Sequence, residues 1–129
     1  MSGDDTSLTG IGNDQADVVG SPTYTSGSRG DRIRQWFSTG VYRVAKEGTF
    51  GNVGRNTLYG PGTFNIDFSA HKNIPINERL RLQYRAEFFN IINHPILGNP
   101  GTTVTSGGFG RITSAGAPRI IQMALKLVF

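Results

Sequence analysis

The sequence contains no cysteine, which excludes a disulfide framework and any thiolate metal site. It has no apolar run of the ~18 residues that a membrane-spanning helix needs, so none is predicted. That absence does not bear on a β-barrel, whose short alternating strands escape hydropathy scans. The start, Met1-Ser2-Gly3-Asp4-Asp5, has neither a basic nor an apolar region of the kind that makes a signal peptide. The net charge is +4, but there is no continuous basic stripe. Arg29, Arg32, Arg34, Arg43, Arg55, Arg79, Arg81, Arg85, Arg111 and Arg119 are scattered, and a basic balance alone does not indicate a nucleic-acid partner. No nucleophile–base–acid set stands out, so no catalytic residue is assigned and the chain is expected not to be an enzyme.

Glycine, by contrast, is abundant: 18 of 129 residues, against a usual ~7%. Residues 1–31 are rich in Gly, Ser, Thr and Asp and have no period. Residues 32–44 hold Ile33, Trp36, Phe37, Val41, Tyr42 and Val44, a short helical turn or a loop patch held by aromatics. Residues 48–62 are punctuated by five glycines and Pro61, the composition of irregular backbone. Ordering such a chain costs entropy that little local burial offsets. Residues 1–62 are therefore predicted to be a largely irregular loop region, with order confined to the second half.

From Thr63 the pattern changes. Phe64, Ile66, Phe68 and Ala70 alternate with Asn65, Asp67, Ser69 and His71, which predicts a strand over 63–72. Pro75 and Asn77 mark a turn over 73–78. Alternation resumes over 79–89, where Leu80, Leu82, Tyr84, Ala86 and Phe88 oppose Arg79, Arg81, Gln83, Arg85 and Glu87. A helix here would smear leucines and arginines around the whole cylinder. Residues 90–118 return to a Gly/Pro-rich loop. A third strand, 119–129, alternates Ile121, Met123, Leu125, Leu127 and Phe129 with Gln122, Ala124, Lys126 and Val128.

Strands of about ten residues match the ~9–11 of a tilted transmembrane strand better than the ~5–6 of a soluble sheet. One link is short and the next spans about thirty residues, which is unusual in a compact soluble domain. Outer-membrane barrels combine short periplasmic turns with long external loops. The predicted fold is all-β, an antiparallel transmembrane barrel wall of about three strands within 63–129. The 73–78 turn would be periplasmic and residues 1–62 and 90–118 extracellular.

Specific stretches sharpen this. Gly48-Thr49-Phe50-Gly51-Asn52-Val53-Gly54-Arg55-Asn56, then Gly60-Pro61-Gly62 and Phe64-Asn65-Ile66-Asp67-Phe68-Ser69, resemble the end of the Oar-like TonB-dependent receptors common in Acidobacteria. So do Arg85-Ala86-Glu87-Phe88-Phe89-Asn90, Asn93-His94-Pro95, Phe109-Gly110-Arg111-Ile112 and the closing Phe129. Ser7-Leu8-Thr9-Gly10-Ile11-Gly12-Asn13-Asp14 and Gln35-Trp36-Phe37 are similar too. The resemblance implies a C-terminal piece of a receptor that also carries a regulatory-like domain, a plug and a barrel of ~22 strands. It implies energy-coupled uptake across the outer membrane with no cofactor. The implied partners are outer-membrane lipid, the barrel-assembly machinery, and the rest of the barrel and plug. TonB would be reached only through the missing N-terminal part. Ile121, Met123, Leu125, Leu127 and Phe129 match the alternating, aromatic-ended strand that the assembly machinery recognises.

Arg81, Gln83, Arg85 and Glu87 are expected to face the lumen, pairing with one another or touching plug or substrate. Arg29-Gly30-Asp31 matches an adhesion tripeptide, but three residues need a presented turn. His71 and His94 lack metal-ligand spacing. Asp4, Asp5, Asp14 and Asp17 read as a solvated acidic loop rather than a cation site. Gly107-Gly108-Phe109-Gly110 lacks the preceding strand and the Lys-Ser/Thr of a phosphate loop. The alternative to a barrel is a small soluble antiparallel module for binding or adhesion.

Overall fold

A computed structural model describes all residues from Met1 to Phe129. It forms two compact units, Met1–Pro61 with Leu97–Ala115 and Gly62–Ile96 with Gly116–Phe129.

The second unit is an antiparallel sheet of order β3-β4-β5, with β3 Phe68–Pro75, β4 Arg81–Phe89 and β5 Ile120–Val128. Directly paired residues share a face, so the register settles which side chains lie together. Phe68, Ala70, Lys72 and Ile74 pair with Phe88, Ala86, Tyr84 and Leu82. Those four pair onward with Ile121, Met123, Leu125 and Leu127. The opposite face carries Ser69, Glu87 and Gln122; His71, Arg85 and Ala124; Asn73, Gln83 and Lys126; and Pro75, Arg81 and Val128.

The first strand is displaced from its predicted span of 63–72. Phe64 and Ile66 lie outside it, because β4 ends at Phe89 and offers them no ladder partner. Asn90 takes a left-handed φ of 52° and Asn93 does the same, which turns the chain away. Only one backbone bond, Ile91 N–H to the Ile66 carbonyl at 2.9 Å, continues past the strand end. At the other end β3 runs on to Pro75 and the turn moves to residues 76–80. The Asn77 side-chain oxygen accepts the N–H groups of Arg79 (3.0 Å) and Leu80 (2.8 Å). The Leu80 carbonyl accepts from Ile76 and Asn77. Leu80 is thus a turn residue rather than a member of the apolar face.

Asn90 is the hinge pin of this unit. It is buried, its Nδ2 donates to the His94 carbonyl (2.9 Å) and its Oδ1 accepts the His94 N–H (2.9 Å). Its own N–H donates to Asp67 Oδ1 (2.9 Å). Asn90→Ala puts a residue that does not tolerate the left-handed region at φ 52° and removes both side-chain bonds, an expected cost of about 2–3 kcal/mol. Hydrogen exchange should speed up at the His94 amide, while the Gln83 and Tyr84 amides in the middle of β4 stay protected. Unchanged exchange at His94 would contradict this role.

The first unit overturns the expectation that order is confined to the second half. Regular structure is scarce: α1 Arg29–Arg34 and a two-residue antiparallel pair, β1 Asp17–Val18 with β2 Tyr42–Arg43. Yet Ala16, Phe37, Tyr42, Ala45 and Ile112 are buried. Phe37 is fully enclosed, and Phe37, Tyr42 and Phe109 stack edge to face in a triangle with centroid separations of 5.4–5.7 Å. Edge-to-face is the arrangement the ring quadrupoles favour. Gly110, at φ +72°, passes so close to Thr39 that a Cβ would collide with it. The core is invisible locally because Phe109 arrives from the distant 97–115 segment. That segment accordingly packs as part of this unit, not as a separate loop.

The acidic side chains here bind backbone. Asp5 accepts from Thr9 N–H (3.1 Å) and Gly10 N–H (2.7 Å), and Asp17 from Asn52 N–H (3.0 Å). Asp14 accepts from Ser7 N–H at 2.7 Å, a bond that holds its carboxyl below the usual carboxylate range. Asp31 closes a capping box with Ser28 at the start of α1, and the Ser28 hydroxyl likewise lowers its carboxyl.

Candidate functional site

The sheet separates its side chains by chemistry. One face presents Phe68, Ile74, Tyr84, Ile121, Met123, Leu125 and Leu127, each between 38% and 67% exposed. Contiguous apolar exposure on this scale marks a membrane or protein contact. Lys72 is its single charge, opposite Tyr84. Sequence parity with Ala70 places it there, at the last position of the predicted strand 63–72 and in the middle of β3. A long lysine stem can lie along apolar surface and carry its ammonium to the rim.

The other face brings together all four sequence-predicted polar residues, Arg81, Gln83, Arg85 and Glu87. Arg85 Nη1 lies 3.5 Å from Glu87 Oε1, with side chains 54% and 23% exposed. A long, exposed pair like this contributes little to stability. Arg81 and Gln83 do not pair with the other two. Cross-strand neighbours that run-by-run reading left apart, His71, Asn73 and Lys126, share this face. Asn73 was hidden by its assignment to the turn.

The sheet has two free edges, on β3 and β5. Their unpaired N–H and C=O groups are templates for further strands. Leu127 and Phe129 lie at one end of the β5 edge, and Phe129 is 95% exposed.

The remaining candidates resolve without chemistry. Arg29-Gly30-Asp31 sits inside α1 with the Asp31 carboxylate engaged by Ser28. His71 is on the polar sheet face, whereas His94 packs edge-on to Phe64 with a buried, unpartnered Nδ1. No group of three or more His, Cys, Asp or Glu is placed to hold a metal. The first unit holds a cavity of about 350 Å³ walled mainly by Ala16, Tyr42, Val53, Leu58, Val104 and Phe109. Burial pushes the Tyr42 phenol up from its ordinary value, and its hydroxyl has no partner.

A family model described as an outer membrane beta barrel domain matches residues 1–122. No curated protein and no solved structure matches the chain.

Proposed function

Because this chain belongs to the outer membrane beta barrel domain family and so to an outer-membrane protein, we propose that it supplies wall and surface loops to a TonB-dependent receptor for energy-coupled uptake. The observation that carries the wall assignment is the two-faced sheet. Nine residues of strand extend ~30 Å. At a tilt of ~40° that covers ~23 Å of height, close to the ~25 Å apolar band of such barrels. The apolar face meets lipid and the Arg81–Glu87 face lines the lumen. The free edges of β3 and β5 pair with further strands, since barrels of this class need at least ~8.

In this arrangement the 76–80 turn is periplasmic and the first unit lies outside the cell. The chain contributes no catalysis and needs no cofactor. The row Ile121, Met123, Leu125, Leu127 and Phe129, on the free β5 edge, is what the barrel-assembly machinery engages by strand addition. Energy coupling is supported by the Oar-like motifs rather than by the sheet.

A direct test uses the protein extracted from its own outer membrane. The soluble periplasmic domain of TonB should capture it, and it should stay closed in a planar lipid bilayer. Failure of capture together with steady porin-like conductance would refute coupled transport and leave a passive pore.

A further inference from the structure

We infer that the polar face of the sheet carries an anion site that takes a carboxylate or phosphate group of a solute. A hollow of about 270 Å³ opens on this face, with His71, Asn73, Gln83, Arg85 and Lys126 around it and Ala124 in its floor. The register explains it. Ala124 stands opposite Arg85, and Arg85 opposite His71. The row beside them is Asn73, Gln83 and Lys126. One short side chain among long ones leaves the gap, and the long ones rim it.

The rim has one chemical character. Imidazole, two carboxamides, a guanidinium and an ammonium can all donate hydrogen bonds. No acidic side chain lines the hollow. Arg85 reaches Glu87 only at 3.5 Å through one nitrogen, which leaves its remaining N–H groups free to form a fork. Lys126 is diagonal to both Arg85 and Arg81 in the register, a spacing of ~7–8 Å. The two cations of the rim, Arg85 and Lys126, repel one another when the hollow holds only water. An anion between them turns that repulsion into charge-assisted hydrogen bonds, with Arg85 suited to bidentate recognition. A solute fits better than a polypeptide, because the gap is the width of one missing side chain rather than a groove along the strands.

The sheet alone builds this site, so it stands apart from energy coupling; only its use in uptake rests on the proposed transport role. Failure of TonB capture would leave the anion site intact, and loss of the site would leave the apolar face untouched.

The test is titration of the whole outer-membrane protein, extracted in detergent and selectively isotope-labelled, with inorganic phosphate at constant ionic strength, read by amide NMR. Saturable shifts are expected at Gln83, Ala124 and Lys126. Arg85→Gln and Lys126→Gln should each weaken binding about tenfold, the loss of one charge-assisted contact. Lys126→Arg should retain binding, and Arg79→Gln, in the turn, should not change it. Unshifted Met123 and Phe88 amides certify that each variant keeps its sheet. Shifts that never saturate, or that survive both Gln variants, would overturn the site. Binding of an acidic peptide without any phosphate binding would overturn it too, in favour of a polypeptide occupant.

Discussion

Replacing Leu125 by arginine should cut the level of correctly inserted protein in the outer membrane by at least about thirtyfold. A charge on the lipid face of a barrel costs about 2–4 kcal/mol near the bilayer midplane, and each 1.4 kcal/mol is about a factor of ten. Leu125 lies near the middle of β5, 67% exposed on the apolar face and opposite Tyr84. The informative control is the neighbouring position. Ala124→Arg adds the same side chain one residue away, on the face that already carries Arg81, Arg85 and Lys126. It should insert at near-normal levels. Folded protein can be counted by the shift in electrophoretic mobility between unheated and boiled membranes. Equal loss for the two variants would mean that the faces do not differ in what they meet.

Phe37→Ala should dismantle the first unit while leaving the sheet in place. Truncating a fully buried Phe costs about 3–5 kcal/mol. Here it also breaks two edge-to-face contacts, to Tyr42 and Phe109. The unit has few other large buried side chains to compensate, and it lacks long helices or ladders that could hold it together. Trypsin should cut rapidly at Arg43 and Arg111, and near-ultraviolet circular dichroism should fall, while amide exchange of β4 stays slow. Phe37→Leu, which keeps most of the volume, should show a much smaller effect. Resistance to trypsin equal to that of the parent would refute the aromatic triangle as the unit's core.

The sheet was legible because its signal is local. A period of two survives in any window that covers Leu82–Phe88 or Ile121–Leu127, and a slip of one residue would invert both faces. The strand ends were less legible. Phe64 and Ile66 fit the alternation, but a strand residue needs a partner, and Asn90 removes it by turning with a positive φ. Asparagine at that position was a visible warning, since its side chain tolerates the left-handed region. The first unit was legible only in part: the aromatic patch over 32–44 showed Phe37 and Tyr42, but not what they pack against. Its core joins Phe37 and Tyr42 to Phe109 across a long separation, and no periodicity records that meeting. High glycine content there marks close backbone approach and special φ values, as at Gly110, as much as it marks looseness. Similarly, the hollow on the polar face follows from Ala124 facing Arg85, a relation set by register between strands and not by either strand alone.

These 129 residues hold no cysteine, so single cysteines can be placed at each position from 120 to 128 and labelled with a nitroxide once any cysteine elsewhere in the protein has been replaced. In the protein reconstituted in lipid vesicles, collisions with lipid-dissolved oxygen and with a water-soluble nickel complex then report what each side chain meets. A period of two along β5 is expected. Positions 121, 123, 125 and 127 favour oxygen, and 122, 124 and 126 favour nickel. Uniform nickel access along the strand, or access that does not alternate, would contradict the claim that this sheet is a membrane wall with a lipid face and a wet face.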